Sequence, residues 1–186
     1  MAKKFKTLRG QLLLDGGRLR GSFFHRTVVL ICEHDSKGAF GLVLNRGTER
    51  RLEETIDPSV PDLVGKQRLY LGGPVQPSAL SFVYTHPTTE GGSVLPGVSL
   101  GHSLETLVDL GRPRDVEPSL RVFAGYAGWS AGQLDDEMKR GAWITHPAKA
   151  EWIFHEQPET LWKRILKEKG WPHVLLGDAP EDLAMN

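Results

Sequence analysis

The chain has 186 residues, of which 39% are apolar, and its 23 Lys and Arg balance its 23 Asp and Glu. This composition excludes general disorder, a collagen and a disulfide scaffold. A formal net charge of zero argues against a DNA-binding domain, which usually carries a basic excess. We therefore expect one globular domain over residues 1–186, with flexible ends near 1–8 and 178–186.

The cysteine content and the apolar runs indicate the compartment. Cys32 is the single cysteine, so no internal disulfide forms and the chain suits a reducing environment. The basic start is followed by only a short apolar run at 12–14, whereas a signal peptide needs about 7–15 apolar residues. No run approaches the ~18–20 residues of a membrane helix. The sequence predicts a cytoplasmic protein with no membrane partner.

Strand patterns fill the first two thirds of the chain. The run 27–32 is apolar on both faces, which predicts a buried central strand. A turn at 35–38 and a second apolar run to Leu44 predict a hairpin. Further strands are predicted at 11–14, 68–71, 79–84, 93–100, 120–124 and 143–145.

Helical patterns come mostly late in the chain. Ser103 is a candidate N-cap for a helix to Leu110, and Ser130 with Gln133 forms a capping-box pair for a helix to Arg140. Other helices are predicted at 52–56, 147–154 and 158–169. Because strands come first and helices follow, the pattern favours an α+β fold with a largely antiparallel or mixed sheet.

Six stretches occur in a characteristic order along the chain. They are FHRTVV at 24–29, CEHD at 32–35, GAFGLVLNR at 38–46, GGPV at 72–75, GYAGW at 125–129 and GQL at 132–134. Together they resemble the AlgH/YqgE family of bacterial proteins, over roughly residues 10–166. The resemblance implies an α+β fold in which a mixed, largely antiparallel bent sheet forms a pseudo-barrel with helices packed outside. It implies no settled activity, and the family's label as a transcriptional regulator is historical.

Ser130 lies in a G-x-S-x-G pattern at 128–132, after a predicted strand and before a predicted helix. A nucleophile elbow requires this context, so a small hydrolase that uses Ser130 is one hypothesis. The competing interpretation is a simple helix cap. An elbow also requires a parallel sheet, which the order of elements does not favour. We favour the cap.

Cys32 and His34 share one face of a predicted strand, because residues i and i+2 point to the same side. A thiol enzyme that uses this pair is a second catalytic hypothesis. Cys-x-His alone is not a zinc spacing, and there is no second cysteine. Cys32 at the end of an apolar strand is more often a small buried hydrophobe. We therefore predict no catalytic residue, no metal and no cofactor.

Two groups of residues are candidate ligand contacts. Tyr126, Trp129 and Gln133 lie in or beside the Gly-rich run at 125–129, where glycines and aromatics either line a pocket or form a bend against the core. Arg26 and Asn45 flank the two central strands. Either the two meet across a hairpin edge, or Asn45 ends its strand by bonding its own backbone. We favour the core interpretation for the aromatics and keep all five as candidates.

The sequence as a whole favours a non-catalytic binding or regulatory module for an unknown small ligand or protein partner. The hydrolase and the thiol enzyme remain the alternatives. Nucleic-acid regulation is a third hypothesis, supported by a few N-terminal lysines and opposed by the neutral charge.

Overall fold

The computed structural model describes residues 5–56, 60–85, 93–113, 115–154 and 157–179, so most of the expected flexible ends lies outside the described residues. Ten strands are present in these ranges: β1 Gln11–Asp15, β2 Val28–Asp35, β3 Gly38–Val43, β4 Gly47–Arg51, β5 Arg68–Leu71, β6 Val75–Thr85, β7 Ser93–Leu95, β8 Val98–Gly101, β9 Leu120–Ser130 and β10 Trp143–Pro147. The helices are α1 Asp62–Gly65, α2 Leu104–Leu110, α3 Gln133–Lys139, α4 Ala150–Ile153, α5 Leu161–Lys169 and α6 His173–Asp178, with 3-10 turns at Leu52–Glu54 and Pro158–Thr160.

The strands form one sheet in the order β10-β1-β2-β3-β9-β6-β8-β7, and β5 joins β4 to β9 beside this path. All described pairs are antiparallel except β5 with β9. The predicted α+β class, with a mixed and largely antiparallel sheet, is confirmed. The β2–β3 hairpin also forms where the turn signal placed it.

The sheet is bent, so that strands far apart in its order share one core. Leu14 of β1 and Val94 of β7 belong to the same buried cluster, although five strands separate them in the sheet. The sheet curls around this cluster without closing on itself. Helices α4 and α5 cover the same cluster through Ile153 and Ile165. The expected bent sheet with helices outside is therefore present as an open structure.

Both faces of the central strand β2 are buried. Val28 and Leu30 enter the cluster beneath α4 and α5, while Val29 and Ile31 enter a second cluster on the opposite face. Alternate residues of a strand point to opposite faces, so a run that is apolar at every position suits a strand covered on both sides. A third cluster, around Phe82, lies under α1 and α2.

The Gly-rich run at 125–129 is part of strand β9, and the prediction that the strand ends at Ala124 is wrong. β9 continues to Ser130, pairing with β5 and β6 in its first half and with β3 in its second. Gly125 has φ of +70°, which suits glycine and marks the bend between the halves. A Cβ at Gly73 would lie 2.0 Å from the carbonyl carbon of Tyr126, so the Gly-Gly pair allows close backbone approach.

Several helix boundaries differ from the sequence prediction. The N-cap of α3 is Gly132 and not Ser130, because β9 extends through Ser130 before the chain turns. The helix predicted at 147–154 shortens to α4, because Pro147 belongs to β10. Strand β4 and helix α6 were not predicted.

Candidate functional site

A cleft of about 410 Å³ lies between the end of the 22–26 segment, the end of β3 and the start of α5. Seven described residues line it: His25, Arg26, Asn45, Arg46, Glu159, Trp162 and Lys163. Two of them, Arg26 and Asn45, are candidates from the sequence. The other five were missed, although His25 and Arg46 belong to motifs that the sequence had singled out.

Asp15, at the end of β1, orders the segment that carries His25 and Arg26. Its side chain is fully buried, and its carboxylate accepts hydrogen bonds from the backbone N–H groups of Gly17 at 2.8 Å and Arg26 at 2.8 Å. Nδ1 of His25 lies 3.5 Å from the same carboxylate. A buried carboxylate needs hydrogen-bond donors, and the donation by these backbone N–H groups fixes the conformation of the segment.

Asn45 connects the end of β3 to the start of β2. Its Nδ2 donates to the carbonyl of Arg26 at 2.8 Å, and its Oδ1 accepts from the backbone N–H of Val28 at 2.8 Å. Arg26 has φ of +54°, a left-handed conformation that L residues rarely adopt. The structure thus brings Arg26 and Asn45 together, and the amide of Asn45 secures the unusual backbone of Arg26.

The fold positions two of the three cationic side chains of the cleft, those of Arg26 and Arg46. The guanidinium of Arg26 lies over the ring of Trp162, with its carbon 5.3 Å from the ring centroid, and donates to the carbonyl of Ala179. Arg46 donates to the carbonyl of His25 at 2.5 Å. Lys163 follows Trp162 on α5 and is exposed.

Glu159 is the single carboxylate among the seven lining residues, and it has a cation of its own. Oε1 of Glu159 lies 3.4 Å from Nη1 of Arg68, a residue that does not line the cleft. Arg26, Arg46 and Lys163 therefore give the cleft an excess of positive charge. Buried Arg121 lies nearby, donating to the carbonyl of Leu44 at 3.4 Å with its guanidinium 4.4 Å from the centroid of the Tyr70 ring. Burial lowers the pKa of Arg121, Arg68 lowers it further, and Tyr70 opposes the shift.

The aromatic candidates lie outside this cleft. Tyr126 stacks on Phe40 with ring centroids 4.9 Å apart. Trp129 is buried, and its Nε1 donates to Glu137 at 2.9 Å. Gln133 also donates to Glu137, at 3.0 Å. Tyr126 and Trp129 pack against different clusters on opposite faces of β9, so the five candidates divide among three places. A role for Tyr126, Trp129 and Gln133 in ligand binding stays a prediction.

Ser130 has no base among the described residues. Its hydroxyl is exposed and donates to Oε1 of Gln133 at 3.2 Å, while its backbone N–H donates to the same atom at 3.1 Å. A catalytic serine needs an imidazole or another base in that position. The geometry is that of a polar link between β9 and α3.

Cys32 and His34 are both engaged in the fold. Cys32 is 1% exposed, and burial raises the pKa of its thiol far above the ordinary range, with Glu33 adding to the shift and Arg9 opposing it. Nδ1 of His34 accepts a hydrogen bond from the backbone N–H of Leu8 at 3.0 Å. A reactive cysteine requires a lowered pKa and access to solvent, and Cys32 has neither.

Neither a metal-binding cluster nor a membrane-spanning helix occurs in the described ranges. No group of three or more His, Cys, Asp or Glu side chains there is placed to hold a metal ion. No described helix has both the length and the apolar character that crossing a bilayer requires.

The architecture is that of two solved structures. The solution structure of AlgH from Pseudomonas aeruginosa superposes with a TM-score of 0.72 at 27% identity, covering 97% of this chain and 98% of that one. The crystal structure of DIP2367 from Corynebacterium diphtheriae gives a TM-score of 0.75 at 22% identity, covering 94% of each chain. The open, bent α+β sheet therefore defines an AlgH-like fold.

Sequence comparison extends this class to a family. The model of the AlgH-like family matches residues 12–174. A "UPF0301 protein" from Chlorobaculum parvum is 38% identical over the full length of both chains, and one from Chlamydia trachomatis is 36% identical over 96% of this chain and 95% of its own. The chain belongs to the AlgH-like family, as the ordered motifs indicated.

Proposed function

We propose that the chain is a non-catalytic binding module that holds a small anionic ligand in the cleft beside α5. One observation carries the proposal: Arg26, Arg46 and Lys163 come from three separate segments and converge on one cleft. Among the described residues that line it, the one carboxylate, Glu159, is paired with Arg68. Carboxylate and phosphate groups are the natural partners of such a set, because guanidinium groups bind them through charge-assisted hydrogen bonds.

The size and the lining of the cleft support binding over catalysis. Its volume of about 410 Å³ lies within the range of small-molecule sites, ~300–1,000 Å³. The seven described lining residues include no Ser, Thr or Cys that a covalent mechanism would use. Trp162 and Asn45 are buried and fixed by the fold, so they supply rigid walls.

Pyrophosphate is a suitable probe because it is small and highly charged. Isothermal titration calorimetry at low ionic strength should show saturable binding, and Lys163→Gln should weaken it about tenfold by removing one charge-assisted contact. Lys37→Gln, which removes an exposed lysine on the β2–β3 turn, is the matched control and should leave binding unchanged. Glu159→Gln should strengthen binding, because it removes the negative charge of the cleft.

Two results would refute the proposal. One is the absence of saturable heat with pyrophosphate at low salt. The other is equal affinity of the Lys163→Gln and Lys37→Gln variants, which would make any binding nonspecific.

We also assign this module to the reducing cytoplasm, since a chain with one cysteine has no internal disulfide for an oxidising compartment to preserve. Cell fractionation tests this assignment, and recovery of the protein with periplasmic or secreted fractions would contradict it.

A further inference from the structure

Exposed apolar side chains and a row of cations occur together on α5, on α6 and in the turn that joins these helices. We call this surface the α5–α6 face and define it by Lys163, Arg164, Lys167, Trp171 and Leu175. Trp171 is 76% exposed and Leu175 is 57% exposed. Single exposed apolar residues are ordinary on a protein surface. Trp171 and Leu175 therefore indicate a binding surface only if their neighbours also suit one.

The cations of this face border a groove of about 220 Å³ between α5 and α6. Its lining consists of Lys163, Arg164, Lys167, Val174, Gly177 and Asp178. These described lining residues comprise three cationic side chains, one carboxylate and the apolar Val174. The guanidinium of Arg164 also lies over the ring of Trp152, with its carbon 5.8 Å from the centroid. The remaining charged side chains of α5 are directed elsewhere: Glu168 lies 3.5 Å from Lys149, and Lys169 donates to the carbonyl of Thr145 at 2.9 Å.

We propose that the α5–α6 face docks on an anionic lipid surface. Indole and leucine side chains partition into the boundary between headgroups and acyl chains, and nearby Lys and Arg are attracted to anionic headgroups. The cations of the α5–α6 face are complementary in charge to an anionic lipid surface. The inference does not require the ligand proposed for the cleft, although Lys163 lines both places. The prediction of no membrane partner rested on the lack of a spanning run, and contact with a surface needs no such run.

The contrast with another exposed leucine supports the assignment. Leu104, at the start of α2, is 54% exposed, and the groove that it borders includes Glu105, Asp109 and one arginine, Arg112. That site has a comparable exposed apolar side chain and lacks the excess of positive charge. It therefore provides a matched control on the same molecule.

The tryptophans supply a direct readout on the unmodified protein. Trp129, Trp143, Trp152 and Trp162 are buried, so Trp171 is the single exposed member of the five. Vesicles of phosphatidylglycerol should shift the tryptophan emission to the blue at low salt, and brominated acyl chains in the same vesicles should quench it. Phosphatidylcholine vesicles should cause neither change, and 1 M salt should reverse both because it screens the charges.

Variants then test the two parts of the face in vesicle co-sedimentation. Lys167→Gln should lower the partition coefficient about fivefold by removing one charge near the surface. Leu175→Ser should lower it by a similar factor by removing apolar contact. Leu104→Ser and Lys37→Gln are the controls and should bind as the wild type does.

Three outcomes would overturn the proposal. The first is an unchanged emission of the wild-type protein with phosphatidylglycerol vesicles at low salt. The second is an equal response to phosphatidylcholine, which would remove the role of charge. The third is a blue shift that grows with protein concentration without lipid, which would assign the face to a second copy of the chain.

Discussion

Asp15 shows how a single buried side chain sets the geometry of the cleft. In the sequence, Asp15 precedes Gly16 and Gly17, a combination typical of a turn. Its carboxylate also accepts the N–H of Arg26, eleven positions along the chain. Turn propensity is local, whereas this hydrogen bond depends on where the 16–25 segment returns. The local sequence at Asp15 therefore indicates the turn but not the position of Arg26.

At Cys32, we expect protection from alkylation. Iodoacetamide should label the native protein at least ~100-fold more slowly than the protein unfolded in guanidinium chloride, because burial excludes the reagent and raises the pKa of the thiol. Mass spectrometry of the labelled peptide gives both rates. Rapid labelling of the native chain at neutral pH would revive the thiol-enzyme hypothesis.

At Ser130, a fluorophosphonate probe should leave the native protein unlabelled. The hydroxyl donates to the amide oxygen of Gln133, which is not a base, so the serine is not activated. Gel fluorescence after incubation with the probe measures the labelling. Stoichiometric labelling that disappears in Ser130→Ala would show that the serine is a nucleophile.

At the scale of elements, the joins between strands and helices depend on a few polar side chains. Glu137 of α3 accepts hydrogen bonds from Nε1 of Trp129 at 2.9 Å and of Trp143 at 2.8 Å, so one carboxylate fastens α3 to β9 and β10. The sequence predicted α3 and placed the tryptophans against the core. The sequence did not predict that both indoles donate to one carboxylate, because this contact depends on how strands that are distant in the chain come together. The C-terminal end of β9 was also missed. Glycines often end a strand, but Gly125 instead allows β9 to bend and continue.

Glu137→Ala should lower the free energy of unfolding by about 1–3 kcal/mol, since two indole N–H groups lose a charged acceptor. Glu137→Gln keeps one oxygen acceptor and should cost less. Urea denaturation followed by tryptophan fluorescence compares the two variants. Equal stability of Glu137→Ala and the wild type would show that these bonds do not fasten α3.

Asn45 links β3 to β2 and to the 22–26 segment, so its removal should destabilise all three. Asn45→Ala leaves the carbonyl of Arg26 and the N–H of Val28 without their partner, and we expect a loss of about 2–4 kcal/mol. Asn45→Asp retains an acceptor for Val28 and should be less destabilised. Chemical denaturation measures both variants. A loss below ~0.5 kcal/mol for Asn45→Ala would contradict this role.

At the scale of the whole molecule, the sequence predicted more of the fold than of the site. Apolar patterning and the order of strands and helices predicted the α+β class, and the ordered motifs identified the family. The cleft, in contrast, unites residues 25–26, 45–46 and 159–163. Lys163 lies in a predicted amphipathic helix, where a lysine is an ordinary solvent-facing residue. Only the packing of α5 against the ends of β2 and β3 makes it part of a site.

The central claim is that this cleft binds an anion through the cations that converge there. Titration of the ¹⁵N-labelled protein with pyrophosphate, followed by amide chemical shifts, tests it residue by residue. The account predicts saturable changes concentrated at residues 25–26, 45–46 and 159–163. Saturable changes concentrated on another surface, or no changes at all, would contradict it.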